Sequence, residues 1–368
     1  MKVLHIISDL NTAGAQTVVM NYFRYLNNDP DLDMAILVNG KPCHTPYEQE
    51  AEEKGFHVIF SNYHPITSLP FVGGLLNWFR FQYSLYKALK ASKPDIIHTH
   101  GTALLSYVSI PAMLAGIKVR VHTLHSDPYA VRKGFVKWAK RAFTWFGFYP
   151  VCVTEGQAEK AVERYGIKEY TVIKNGVDGR RFAETTVGKE IRMELGIGDS
   201  TTVIGCVGRF DKIKNHLFLI DLFAEYIKDN PNSLLMLVGD GGERGNIEKK
   251  AKECGVLEKV VFTGLCGDVE RYYYAMDLFM LTSFYESSSI VTVEAQFAGK
   301  RCVVASSIPE SVVVTDKVNR IPLDAPIATW LSAMRDELPH DKPVGTLKDF
   351  SMDRSASMLK KLYMKLKK

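Results

Sequence analysis

Ser283-Phe284-Tyr285-Glu286-Ser287-Ser288-Ser289-Ile290-Val291-Thr292-Val293-Glu294-Ala295-Gln296-Phe297-Ala298-Gly299 is the stretch whose reading decides the fold. The apolar run at 278–281 that leads into it reads as a strand. From Ile290 the pattern turns helical. The segment is therefore strand, turn and helix, with Glu286 at the turn and Glu294 about two helical turns further on. A helix starting there offers free backbone N–H groups and the positive end of its dipole, which suit phosphates or sugar hydroxyls.

Val207-Gly208-Arg209-Phe210-Asp211-Lys212-Ile213-Lys214-Asn215-His216 repeats the arrangement with the opposite charge. It puts cations beside another strand end and another helix start. Carboxylates suited to hydroxyls, together with cations suited to a leaving diphosphate, imply an enzyme that acts on a nucleotide sugar. For Lys212 a plain surface cation is the better reading.

Outward from these stretches, apolar runs and helical patterns alternate twice. Strands are predicted at 2–8, 34–38, 57–60, 95–98, 118–123, 150–153 and 170–173, then at 202–207, 233–238, 259–262, 277–281 and 301–305. Helices are predicted between most of them, including 133–146, 214–228, 290–299 and 325–336, with a basic amphipathic helix at 352–366. Such alternation gives parallel sheets with helices on both faces. It predicts two doubly wound α/β domains, 1–183 and 184–349, meeting at a short seam near 178–200. Ligands of open α/β sheets bind outside the carboxyl ends of the strands.

The composition fits this reading. The 368 residues are 46% hydrophobic and 24% charged, which excludes a disordered chain. The formal charge of +5 permits an anionic substrate or membrane surface and demands neither; no nucleic-acid partner is expected. None of the six cysteines has another two to four residues away, so no zinc-type pair is visible and a reducing, cytoplasmic setting is expected. Neither a signal peptide nor a membrane-spanning run is expected.

Five motifs in order resemble the family 4 (group 1) retaining glycosyltransferases of GT-B fold, above all those of bacterial exopolysaccharide and capsule assembly. They are Val172-Ile173-Lys174-Asn175-Gly176-Val177-Asp178, the segment 208–216, Leu237-Val238-Gly239-Asp240-Gly241, Phe262-Thr263-Gly264 and the paired-glutamate segment. The resemblance implies two Rossmann-like domains facing a cleft, with the last helix packed on the first. It implies that Glu294 bonds the ribose of the nucleotide and that Glu286 faces the donor sugar. Arg209 and Lys214 then clamp the diphosphate, beside Gly208, and the backbone at Leu265 and Cys266 reads the base. His125 lies near the donor sugar's primary hydroxyl, and the loop at Gly14 closes over diphosphate or acceptor. Ser288, Ser289 and Ile290 complete the donor-binding set.

The expected partners are a nucleotide-sugar donor, most simply a UDP-sugar, and a glycan or lipid-linked acceptor. No cofactor and no metal are expected. The leaving phosphate itself takes the acceptor's proton in such retaining enzymes. Two departures stand out: Ala13 where the family has a second glycine before Gly14, and Ser287, Ser288 and Ser289 where it has glycine or proline. They keep two rivals in view, a nucleotide-sugar epimerase of the same architecture and a catalytically degenerate sugar-nucleotide-binding subunit.

Two further features are legible. His98, His100, His122 and His125 fall at two adjacent strand ends, and His98 and His100 share a face. No cysteine or well-spaced carboxylate completes a zinc site there, so a polar wall is the reading preferred. Residues 132–146 interleave five cations with five large aromatics, a pattern for an anionic membrane surface at the inner face of the cell membrane. The same residues fit a domain helix that buries Trp138 and Phe135 and leaves its lysines in water.

Overall fold

The computed structural model describes residues 1–11, 14–61, 73–182 and 187–368. Ala13 lies outside the described residues. The chain divides into two compact units, 1–176 with 352–368, and 177–351. The division falls a few residues earlier than the seam expected from the sequence.

Unit 1 runs β1 (Lys2–Ile7), α1 (Gly14–Leu26), β2 (Asp33–Val38), α2 (Pro46–Glu53), β3 (His57–Phe60), α3 (Gly73–Ser92) and β4 (Ile96–His100). It continues with α4 (Leu105–Leu114), β5 (Val119–Leu124), α5 (Lys133–Thr144), β6 (Phe148–Cys152), α6 (Glu155–Tyr165) and β7 (Thr171–Val172). Among the described residues the strands form one parallel sheet in the order β3-β2-β1-β4-β5-β6-β7. β1 and β4, the pair at which the order reverses, are buried along almost their whole length, as a two-sided sheet requires. Local signals set several helix ends. Thr45 and Glu48 form a capping box at α2; Thr154 caps α6, and Gly166 closes it in the left-handed conformation.

The final helix, α13 (Met352–Lys367), belongs to this unit and packs on α1. Lys360 pairs with Asp29 and Asp31, each at 2.7 Å, and Ser355 donates to the Lys174 carbonyl at 2.8 Å. Gly176 is obligatory under the helix: a Cβ there would lie 2.7 Å from the Met352 sulfur and 3.0 Å from its Cα.

Unit 2 runs α7 (Val187–Glu194), β8 (Thr202–Val207), α8 (His216–Asp229), β9 (Ser233–Val238), α9 (Arg244–Glu253), β10 (Val260–Gly264) and α10 (Val269–Ala275). It ends with β11 (Leu278–Leu281), α11 (Ile290–Phe297), β12 (Arg301–Ala305), β13 (Val318–Ile321) and α12 (Ile327–Met334). Its parallel strands take the order β10-β9-β8-β11-β12-β13. In each unit the order reverses beside the first strand, the doubly wound pattern, and right-handed crossovers then place helices on both faces. Two elements were not expected. The seam region carries α7, which packs on α10, and β13 adds an edge strand beside β12.

Candidate active site

In unit 2 the strand order reverses between β8 and β11, and the loops after those strands carry both charged motifs. The loop after β8 turns at Gly208 (φ 154°) and runs through a tight turn, 212–214, capped by the Asp211 carboxylate, which accepts from the Lys214 backbone N–H at 3.2 Å. Asn215, in the left-handed conformation, then starts α8. α8 therefore begins two residues later than the pattern predicts, and Lys214 stays in the loop where its amine can turn inward. The Phe284 N–H bonds the Ile213 carbonyl at 2.8 Å and Thr282 Oγ1 bonds the Asn215 carbonyl at 3.0 Å, lacing the two loops together.

That lacing brings the predicted cation and the predicted carboxylate into contact. Lys214 Nζ lies 2.5 Å from Glu286 Oε1, and both side chains are mostly buried. Ser283 Oγ donates to the same oxygen at 2.9 Å. Arg209 is placed differently. Its Nε and Nη2 both donate to Asp211 Oδ2, at 3.1 and 2.8 Å, and most of its side chain is in solvent.

Ser289 sits at φ 27° just before α11, a conformation that side chains avoid and that glycine adopts freely. The hydroxyls of Ser289 and Thr292 lie 2.8 Å apart and tie the strained residue to the first turn. Ser288, Ser289 and Ile290 are all buried. On the next turns Glu294 is 5% exposed, and the Tyr273 hydroxyl donates to its Oε2 at 3.0 Å. Burial, reinforced by the Glu294 charge, pushes Tyr273 well above the usual phenol range, so it stays a proton donor. Leu265 and Cys266 follow β10, whose last residue, Gly264, has φ 76°. Leu265 is exposed, while burial pushes the Cys266 thiol up to about 12 and leaves it a neutral, unreactive group.

Unit 1 holds the other two predicted site residues. Gly14 is the first residue of α1 and is exposed. His125 follows β5, half-buried, with its Nε2 2.9 Å from His100 Nδ1; burial lowers it to about 4, so it is neutral near pH 7. The predicted histidine cluster needs two changes. His122 faces the other side of the sheet, bonded to Thr99 at 2.8 Å, because neighbours along a strand alternate faces. His5, on the adjacent β1 in register with His98, takes its place. The ring nitrogens of His5, His98 and His100 lie within 4.8 Å of one another, as a metal would need. These nitrogens are hydrogen-bonded among themselves, to Thr123 and to Tyr363.

Three partners were not picked out from the sequence. Tyr273 lies outside every motif, on a different element from the Glu294 it holds. Ser283 and Asp211 lie within the quoted motifs, where nothing in the pattern marked them as the groups that hold Glu286, Lys214 and Arg209.

Residues 12–181 match the model of glycosyltransferase family 4, and residues 188–343 match that of the glycosyl transferases group 1. The chain belongs to the family 4, group 1 glycosyltransferases. A putative glycosyltransferase from Bacillus subtilis, EpsF, is 29% identical over 347 residues, covering 89% of this chain and 85% of that one. A UDP-Gal:α-D-GlcNAc-diphosphoundecaprenol α-1,3-galactosyltransferase from Escherichia coli is 29% identical over 237 residues, 61% of this chain and 60% of that one. The structure of HepE from Anabaena in complex with UDP-glucose matches with a TM-score of 0.81 at 17% identity, covering 99% of this chain and all of that one. The fold of the transferase is GT-B. The epimerase and binding-subunit readings give way to that of a glycosyltransferase enzyme.

Among the described residues of the transferase, no helix is long and apolar enough to cross a membrane. Helix α5 buries Ala139 and Ala142 and packs Val136 and Phe143 against the core of unit 1. Its Lys133, Lys137 and Lys140 are exposed, and Trp145 just beyond it is 77% exposed.

Proposed function

We propose that the transferase moves a sugar, with retention, from a UDP-sugar to a glycan or lipid-linked acceptor in exopolysaccharide-type assembly, without a metal ion. The observation that carries this reading is the contact between Lys214 and Glu286 at the strand-order switch of unit 2, with the anchored Glu294 on the helix that follows. Lys214 and Glu286 neutralise each other in their contact. A bound diphosphate is the stronger partner for Lys214, and it frees Glu286 for the donor sugar's hydroxyls. Arg209 swings from Asp211 to the same diphosphate. The first N–H groups of α11 add to this field, and preorganised charge of this kind commonly contributes more to catalysis than any other single effect. Glu294, fixed by Tyr273, takes the ribose hydroxyls, the Leu265–Cys266 backbone takes the base, and His125 takes the donor sugar's primary hydroxyl. The relatives support the donor and acceptor classes: one is named for UDP-galactose and a diphosphoundecaprenol acceptor, another is bound to UDP-glucose.

The test is a panel of UDP, GDP, ADP and the common UDP- and GDP-sugars, read by thermal shift and by nucleotide release, with and without EDTA. A UDP-selective shift that survives EDTA, with slow UDP release from one donor, is expected. No shift with any nucleotide, or a shift abolished by EDTA, contradicts the proposal.

The exposed lysines of α5 and Trp145 support peripheral contact with an anionic membrane surface, at which a lipid-linked acceptor would be met. Flotation with anionic liposomes at low salt, lost on charge reversal of Lys133, Lys137 and Lys140, is the expected result; unchanged flotation removes the patch from the account.

A further inference from the structure

Through the middle of unit 1 runs a continuous hydrogen-bonded chain built from four elements. His125 Nε2 lies 2.9 Å from His100 Nδ1, and His100 Nε2 lies 2.9 Å from His5 Nδ1. His5 Nε2 lies 3.3 Å from the Tyr363 hydroxyl, which lies 2.5 Å from His98 Nδ1. His98 Nε2 ends the chain 2.7 Å from Thr123 Oγ1. His5, His98 and Tyr363 are fully buried and His100 is 2% exposed. The His98 and His100 rings stack at 4.3 Å, so neither can turn without the other.

Each of these histidines is neutral and carries one ring proton, and each contact accommodates one proton. Satisfying every contact therefore ties all the tautomers together, and Tyr363 sets their direction because its single hydroxyl proton goes to one neighbour only. A phenol is a better proton donor than a neutral imidazole, and an imidazole nitrogen a better acceptor than a phenol oxygen. Tyr363 thus donates, and the shorter contact marks His98 Nδ1 as the recipient. His98 then donates from Nε2 to Thr123, and His5 donates from Nε2 to the Tyr363 oxygen. His100 donates from Nε2 to His5, and His125 donates from Nε2 to His100. Burial lowers every histidine of the chain, which keeps it uncharged.

We infer that Tyr363, on the last helix of the chain, is a positioning residue that fixes the tautomer of His125 through His5 and His100, so that His125 presents its Nδ1 lone pair as an acceptor. The consequence for transfer rests on the proposed placement of His125 at the donor sugar; the tautomer chain itself does not.

The test is two-bond proton–nitrogen correlation of the histidine rings in the full-length protein labelled with ¹⁵N-histidine, without substrate. In the wild type, His5, His98, His100 and His125 should all carry the proton on Nε2. Tyr363→Phe leaves the His5 Nε2–H without an acceptor, and a buried orphan N–H is worse than an unused lone pair. His5, His100 and His125 should then move their protons to Nδ1. Thr123→Val, at the opposite end, should produce the same reversal by turning His98 and hence the Tyr363 hydroxyl. His122, bonded to Thr99 outside the chain, should keep its tautomer in both variants and so separates relay from general disturbance. An unchanged His125 in both folded variants, or a wild-type His125 protonated on Nδ1, overturns the inference. So does capture of one equivalent of zinc by His5, His98 and His100, whose nitrogens the chain needs.

In a parallel assay of UDP release, both variants should lose about tenfold in kcat, with donor KM within about twofold, the effect of one misdirected hydrogen bond. Tautomer reversal with unchanged turnover supports the chain and removes His125 from the donor sugar instead.

Discussion

Tyr273→Phe isolates one atom, the hydroxyl that holds Glu294. The bond to Glu294 Oε2 is 3.0 Å long, Tyr273 is fully buried and Glu294 is 5% exposed, so water does not readily replace it. A hydrogen bond to a charged acceptor contributes ~1.5–3 kcal/mol, and deleting only the donor removes that contribution. The expected destabilisation is about 2 kcal/mol, or about 4–8 °C for a unit of this size. Glu294 also gains rotational freedom, and that weakens its grip on the ribose. A tenfold loss of UDP affinity, about 1.4 kcal/mol, is expected. Thermal unfolding and calorimetric titration with UDP measure both, with Tyr272→Phe on the same helix as the control. A Tyr273→Phe protein that melts within about 1 °C of the wild type and binds UDP equally well refutes the claim that Tyr273 orients Glu294.

Lys214→Ala should lower turnover by about 10²–10³-fold, the scale of removing one preorganised charge from a transition state, while weakening UDP binding much less; undiminished nucleotide release from the donor would exclude Lys214 from the reaction. Acid should unfold unit 1 early. Burial holds His5 and His122 at about 3 and His125 at about 4, and holds His98 and His100 well below the imidazole range. Unfolded imidazoles titrate near 6.5, so below that pH the unfolded chain takes up protons that the folded one refuses. Stability present above ~6.5 is then lost toward the folded values, at ~1.4 kcal/mol per pH unit for each histidine. The melting temperature should be level from pH 8 to 7 and fall steeply between 6 and 5; a level profile down to pH 5 contradicts it. Gly239→Ala should cost about 3 kcal/mol, because its φ is 139° and a Cβ would lie 2.2 Å from the Gly208 carbonyl oxygen; Gly242→Ala, with open space around it, should melt like the wild type.

The strands of unit 2 were legible because each is a short apolar run bounded by turn residues, and 202–207, 233–238 and 301–305 fall where the pattern put them. α7 and β13 were not. α7 is short, begins with Val187-Gly188 and exists by packing: a Cβ on Gly188 would lie 2.6 Å from the Tyr274 carbonyl, so only glycine allows α10 so near. β13, Val318-Asn319-Arg320-Ile321, buries Asn319 and shows no clean apolar run. Lys214 and Glu286 were each picked out as site residues after a predicted strand, but their contact was not expected; the strand order that sets β8 beside β11 brings them together. Tyr273, His5 and Tyr363 were hidden for one shared reason. Each acts on a residue of another element, and strand order and helix docking decide those meetings. His5 joins His98 only because β1 lies beside β4, ninety-odd residues away in the chain. Tyr363 arrives only because α13 returns to unit 1.

The central claim is that unit 2 grips a uridine diphosphate through Glu294 and Lys214 without help from a metal. Calorimetric titration of UDP in the presence of EDTA, into wild type and Glu294→Ala, tests it most directly. Saturable binding by the wild type and a loss of at least about tenfold in the variant is the predicted result. Equal affinity in the two proteins, or no binding until a divalent cation is restored, would contradict it.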